Sequence, residues 1–128
     1  MKFQPDTPTG VNVITRQEPG RVWVGATPFQ HSVLVPWQGA VLPWGDPPPR
    51  EPAELSAEHF ERLAALQPEV VIFGSGARLR FVPPALLQAL MARRIGIETM
   101  DTPAACRTYN ILAQEGRDVA VALILEQP

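Results

Sequence analysis

Residues 95–115 read IGIETMDTPAACRTYNILAQE, and this stretch decides the fold. Ile97 to Met100 is a short strand, and Asp101-Thr102-Pro103 is a helix start signal. Thr102 supplies an N-cap type and Pro103 suits the first helical position, where a missing N–H costs nothing. The helix runs from Thr102 to Glu115, and Gly116 stops it. Its first turns carry the chain's only cysteine, Cys106, and its only tyrosine, Tyr109, together with Arg107 and Asn110.

The same grammar extends on both sides. Val70-Val71-Ile72-Phe73 is a continuous apolar run between Pro68 and Gly74. Its lack of alternation suits a strand buried on both faces, as in a parallel sheet. Gly74-Ser75-Gly76 follows; then Pro83-Pro84 precedes a helix over Ala85 to Arg94, with Leu86, Leu87, Leu90 and Met91 on one face and Gly96 ending it. Val119 to Leu125 is apolar throughout and reads as a central strand. Upstream, Ser56 caps a helix whose stripe is Leu55, Phe60, Leu63, Ala64 and Leu66, closed by Pro68. Strand, helix, strand, helix, strand with right-handed crossovers makes these strands parallel.

The first half has a different texture. Val11 to Arg16 and Arg21 to Val24 alternate, and Glu18-Pro19-Gly20 joins them as a hairpin. Thr27-Pro28 breaks the pattern, His31 to Val35 is a third strand, and Ala40 to Leu42 is extended. Pro43 to Pro52 reads PWGDPPPREP, which favours polyproline II, and 43–54 is expected to be an exposed rigid connector. Residues 1–10 read as a loose N-terminal arm. The expectation is one α/β domain over 1–128, with a mixed sheet, helices on its faces, and an N-terminal antiparallel hairpin.

Composition narrows the function classes. The chain has 128 residues, 45% of them hydrophobic and 19% charged, with a net charge of -2. That length buries a core without disulfide or metal. The charge carries no footprint for nucleic acid or anionic lipid. A single cysteine fits a reducing compartment. The first ten residues match neither a secretory signal nor a transit peptide, and the longest apolar run is too short to span a bilayer. A cytoplasmic location is expected, without membrane insertion.

Chemistry has few candidates. Gly74-Ser75-Gly76 and the Thr102 turn each follow a strand of the parallel part, where open α/β sheets bind ligands. A dinucleotide fingerprint would need glycine at 79, which is Leu79, and no Walker pattern follows. Arg78 and Arg80 keep an anion site in view; the other reading is a turn that needs glycine's backbone freedom. A helix N-terminus and Arg107 would both lower the Cys106 thiol pKa if the sulfur were exposed, but free cysteines are usually buried. Tyr109 and Asn110 suit either a ligand or a tie to a neighbouring loop. Two histidines in unrelated contexts and one cysteine make no zinc site.

Taken together, Gly74-Ser75-Gly76, the Glu98 to Thr102 turn and the Ala105 to Asn110 run resemble one family. It is a small domain of archaeal and bacterial proteins of uncharacterised function, shared with a mitochondrial complex I assembly factor and an adipogenesis-associated animal protein. Serine here replaces the threonine of the family's Gly-Thr-Gly. The resemblance implies a three-layer fold around a mixed sheet and brings no enzymatic activity or cofactor.

Two readings follow. The first is a non-enzymatic binding or assembly-factor-like module with a protein partner, with Trp37 and Trp44 as surface anchors beside the proline-rich segment. The alternative is a protein or enzyme for an anionic small molecule, with a crevice between Gly74-Ser75-Gly76 and the helix at Thr102. Its candidate ligands would be Gly74, Ser75, Gly76, Arg78, Thr102, Cys106, Arg107, Tyr109 and Asn110.

Overall fold

A computed structural model describes residues 10–127; the expected arm at 1–10 lies outside them except for Gly10. The elements are β1 Ile14–Glu18, β2 Arg21–Val24, β3 Thr27–Phe29, β4 Val33–Val35, β5 Leu42–Pro43, α1 Ala57–Ala65, β6 Val70–Gly74, α2 Gln88–Ala92, β7 Gly96–Met100, α3 Thr102–Gln114 and β8 Val119–Leu123. They form a five-stranded sheet in the order β5-β4-β8-β6-β7 and a separate three-stranded sheet, β1-β2-β3.

The central sheet is mixed. β6 pairs parallel with both β7 and β8, while β4 pairs antiparallel with β8 and β5. β8 therefore sits in the middle, as its unbroken apolar sequence requires. Alternate residues of β6 and β8 feed two cores. Val71, Phe73, Ala120 and Ala122 pack with Phe60, Leu63 and Leu90 of α1 and α2. Ile72, Val119, Val121 and Leu123 pack with Ala105, Tyr109 and Ala113 of α3 and with Val22 and Val24 of the small sheet. The result is three layers: α1 and α2, the central sheet, and α3 with β1-β2-β3.

α1 forms where its sequence says it should. Ser56 and His59 make a capping box, and Phe60, Leu63 and Ala64 are buried on one side. Leu66 caps the other end, and Gln67 turns the chain at φ 53 before Pro68.

Several expectations need correction. The first strand begins at Ile14 rather than Val11, because Val11 bridges to Gln38 and the Asn12 N–H donates to the Trp37 carbonyl. Thr27-Pro28 does not break the sheet: Pro28 lies opposite Trp23 in an edge strand, where no outer donor is needed. The helix expected over Ala85 to Arg94 splits into a 3-10 turn at Pro84–Leu87 and the short α2. It ends on Arg94 at φ 56, and Gly96 already belongs to β7. The cap of α3 is Asp101, one residue before Thr102.

The proline-rich segment is not a free connector. Trp44, Gly45, Pro49 and Pro52 are buried. The Trp44 indole donates to the His59 carbonyl at 3.0 Å and meets Phe60 and Phe73 edge to face. Ser32 is buried beneath the segment, donates to the Pro49 carbonyl and accepts from the Leu125 N–H. The segment is strapped to the sheet, so Trp44 is a core residue rather than a surface anchor. Trp37 is half-buried and donates to the Ala113 carbonyl at 3.1 Å.

Candidate functional site

The two turns singled out by sequence do meet. β6 ends at Gly74 and β7 at Met100, side by side in a parallel pair. Gly76 donates to the Thr102 hydroxyl at 2.9 Å, and the Thr102 N–H donates to the Gly76 carbonyl at 2.8 Å. The Thr102 hydroxyl then donates to the Ile124 carbonyl at 2.9 Å. One buried side chain thus ties together the ends of β6, α3 and β8. Gly74 allows the approach: a Cβ there would lie 2.9 Å from Leu123 Cδ2 and 3.0 Å from both Ala105 Cβ and Thr102 Oγ1.

Ser75 is fully buried and its hydroxyl is in full use. It donates toward the carbonyls of Arg78 at 2.8 Å and Met100 at 3.2 Å, and accepts from the Arg80 N–H at 2.9 Å. These bonds shape the loop that follows β6. Gly76 sits at φ 106, in the left-handed region that glycine tolerates.

The N-terminus of α3 has its amides spoken for. Thr102 bonds Gly76, Pro103 has no N–H, the Ala104 N–H meets the Asp101 carboxylate at 2.8 Å, and the Ala105 N–H reaches the Asp101 carbonyl. None of these four positions has an N–H left to cradle an anion, whatever the helix dipole offers.

The Ala105 to Asn110 run faces inward and ties α3 to the small sheet. Cys106 is 4% exposed, and burial pushes its thiol up to about 12 against a smaller downward pull from Arg107. Tyr109 is fully buried; its hydroxyl donates to the Asn12 carbonyl at 2.8 Å and toward that of Pro36 at 3.3 Å. Burial raises its pKa well above the usual phenol range. Asn110 grips Ile14 twice, accepting from its N–H at 2.9 Å and donating to its carbonyl at 2.8 Å. Arg78 and Arg107 are exposed.

A cleft of about 260 Å³ does open between the two turns. It is lined by Gly76, Ala77, Thr102 and Pro103, and by Pro19, Gly20, Ile124, Leu125 and Glu126 from elements that sequence reading did not bring there. Of the nine candidate residues only Gly76 and Thr102 line it. Its charged group is a carboxylate, Glu126, which accepts from the Ala77 N–H and pairs with Arg80 at 2.9 Å. The orphan in this corner is the buried Arg80 Nε. Glu126 directly follows the last apolar run in the sequence, and that position was the signal available for it. No cluster of metal-ligating side chains occurs among the described residues, and none of their helices is long and apolar enough to cross a membrane.

The chain is similar to proteins of known sequence and structure. It is 33% identical over 124 residues to mouse NADH dehydrogenase [ubiquinone] 1 alpha subcomplex assembly factor 3, covering 95% of this chain and 64% of that protein. The chain thus spans less than two thirds of the length of the curated relatives it matches first. A crystal structure of a Bordetella parapertussis protein superposes with a TM-score of 0.85 at 38% identity, covering 92% of this chain and 98% of that one. The solution structure of a Bordetella pertussis protein, described as an Mth938-like domain, gives 0.81 at 32%, covering 98% and 93%. Residues 14–124 match the family described as protein of unknown function (DUF498/DUF598). With the matched region spanning both sheets and all three helices, the chain belongs to the DUF498/DUF598 family.

Proposed function

We propose that the chain is a non-enzymatic protein-binding module of the assembly-factor kind. One observation carries the reading. The groups best suited to chemistry in the family's signature run are spent on the chain's own backbone or shut in the core: Ser75, Thr102, Tyr109, Asn110 and the thiol of Cys106. What the run builds is a rigid frame. The relationship to a complex I assembly factor gives the same direction. A single cysteine without a partner supports a reducing compartment, the cytoplasm.

The second reading, an anion site between the turns, has Arg78 and Arg107 as its cations. Both lie outside the lining of the 260 Å³ cleft, and a carboxylate lines it instead. The geometry therefore favours the first.

Affinity capture of the full chain from native lysate, with crosslinking, tests the proposal. The expected result is reproducible retention of one protein or a small set. Failure to retain any protein would overturn it, and an anionic metabolite that raises the melting temperature of the wild type but not of Arg107→Ala would then favour the second reading.

A further inference from the structure

We propose that the outer edge of β7 is the docking site, and that an extended segment of a partner protein adds there as a sixth strand of the central sheet. This rests on the protein-binding reading and gives it a place and a chemistry.

β7 is a terminal strand of the five-stranded sheet. The Ser75 N–H donates to the Met100 carbonyl, which fixes the register of the ladder with β6. In a parallel pair, alternate residues turn both backbone groups to the same side. Gly96, Glu98 and Met100 therefore face β6, and the N–H and C=O groups of Ile97 and Thr99 face outward. No hydrogen bond from the described residues reaches those four groups. α2 and α3 pack against β7 on its two faces.

The other edges are blunted, as exposed edges usually are. β5 has two residues, one of them Pro43, and β3 carries Pro28 at its centre. β1 has a register irregularity between Ile14 and Arg16. β7 alone among them has five residues, no proline and no bulge, with the β-branched Ile97 and Thr99 at its centre. That is the form of edge used for strand addition, where main-chain bonds give affinity and side-chain neighbours give selectivity.

The exposed Glu98 names the occupant's chemistry. A partner segment with Lys or Arg across from it gains an opposite-charge pair. A second copy in full antiparallel register would set Glu98 against Glu98, which is unfavourable. The fit is to a different protein.

Thr99→Pro is the selective probe. It removes an outward donor and no bond of the β6 ladder, whereas Thr99→Val keeps the donor. A photo-reactive benzoylphenylalanine replaces Arg94 in the full chain, and crosslinked peptides are identified by mass spectrometry. The expected result is one extended segment of another protein, with capture reduced about tenfold by Thr99→Pro, unchanged by Thr99→Val and reduced about two- to fivefold by Glu98→Lys. Should Thr99→Pro fail to fold, amide exchange of Ile97 and Thr99 in the wild type reads the same contact: both become protected when the captured partner is added. Capture that survives Thr99→Pro in a folded protein, unprotected edge amides, or a crosslinked segment that is β7 of a second copy overturns this proposal and leaves the binding reading standing. Failure to capture any protein overturns both.

Discussion

Thr102 shows how much of this fold hangs on single side chains. Its hydroxyl accepts from Gly76 and donates to Ile124, both buried away from water. Thr102→Val keeps the shape and strands both backbone groups, so a loss of about 2–4 kcal/mol is expected in urea unfolding. Gly74→Ala places a methyl against Leu123, Ala105 and Thr102 and should cost about 1–3 kcal/mol by the same measurement. Cys106 gives a pH dependence. Its folded pKa, about 12, lies above the ordinary 9.0, so the folded state holds a proton that the unfolded chain releases. Its contribution is fully present below pH 9 and is lost as pH rises toward 12, by up to about 1.4 kcal/mol per pH unit. Tyr109 is shifted in the same direction and adds to the alkaline loss from about pH 10. Urea midpoints from pH 8 to 11 should therefore fall, and Cys106→Ala should remove the part that begins near pH 9.

Helix α1 depends on its first turn. Ser56 and His59 bond reciprocally, the Ser56 N–H donating to His59 Nδ1 at 3.0 Å. Ser56→Ala should cost about 1 kcal/mol. Burial, and then the nearby Arg62, hold the His59 pKa below 6.5, so the ring favours the neutral form that accepts this bond. The sign is opposite to that of the thiol: the stability is present above pH 6.5 and is lost as pH falls through the folded pKa. A melting series from pH 7 to 5 should show the decline, and His59→Gln, which keeps an acceptor, should flatten it. At this scale the sequence was most readable where local rules decide. The cap at Ser56, the buried strand Val70 to Phe73 and the stop at Gly116 follow from adjacent residues alone. What local rules could not supply was long-range. Asn110 reaches Ile14 and Tyr109 reaches Asn12, partners so distant in the chain that the sequence alone leaves a ligand and a tie both open for these groups. Trp44 looked like a surface anchor because its proline neighbours suggest an exposed segment, yet three aromatic neighbours enclose it. β3 is hard to read from sequence because Pro28 opposes a central-strand reading, an objection that its place at an edge removes.

For the molecule as a whole, the concentration of distinctive residues between Ile95 and Glu115 is explained by architecture. α3 is the element that holds the central sheet to the small sheet, through Tyr109, Asn110 and the Trp37 contact at its end. A cleft does lie between the two turns, but its walls come largely from Pro19, Gly20 and residues 124–126. The frame leaves outward backbone groups on β7 and exposed apolar side chains on the loop after β6, Leu79 and Phe81, the latter 73% exposed. The central claim is that the signature run is scaffold and that function resides in binding another protein. In-cell crosslinking of the wild type beside an Arg78→Ala/Arg107→Ala variant tests it most directly. The account predicts the same captured protein in equal yield from both. Loss of capture in the variant, or an anionic metabolite that stabilises the wild type alone, would contradict it.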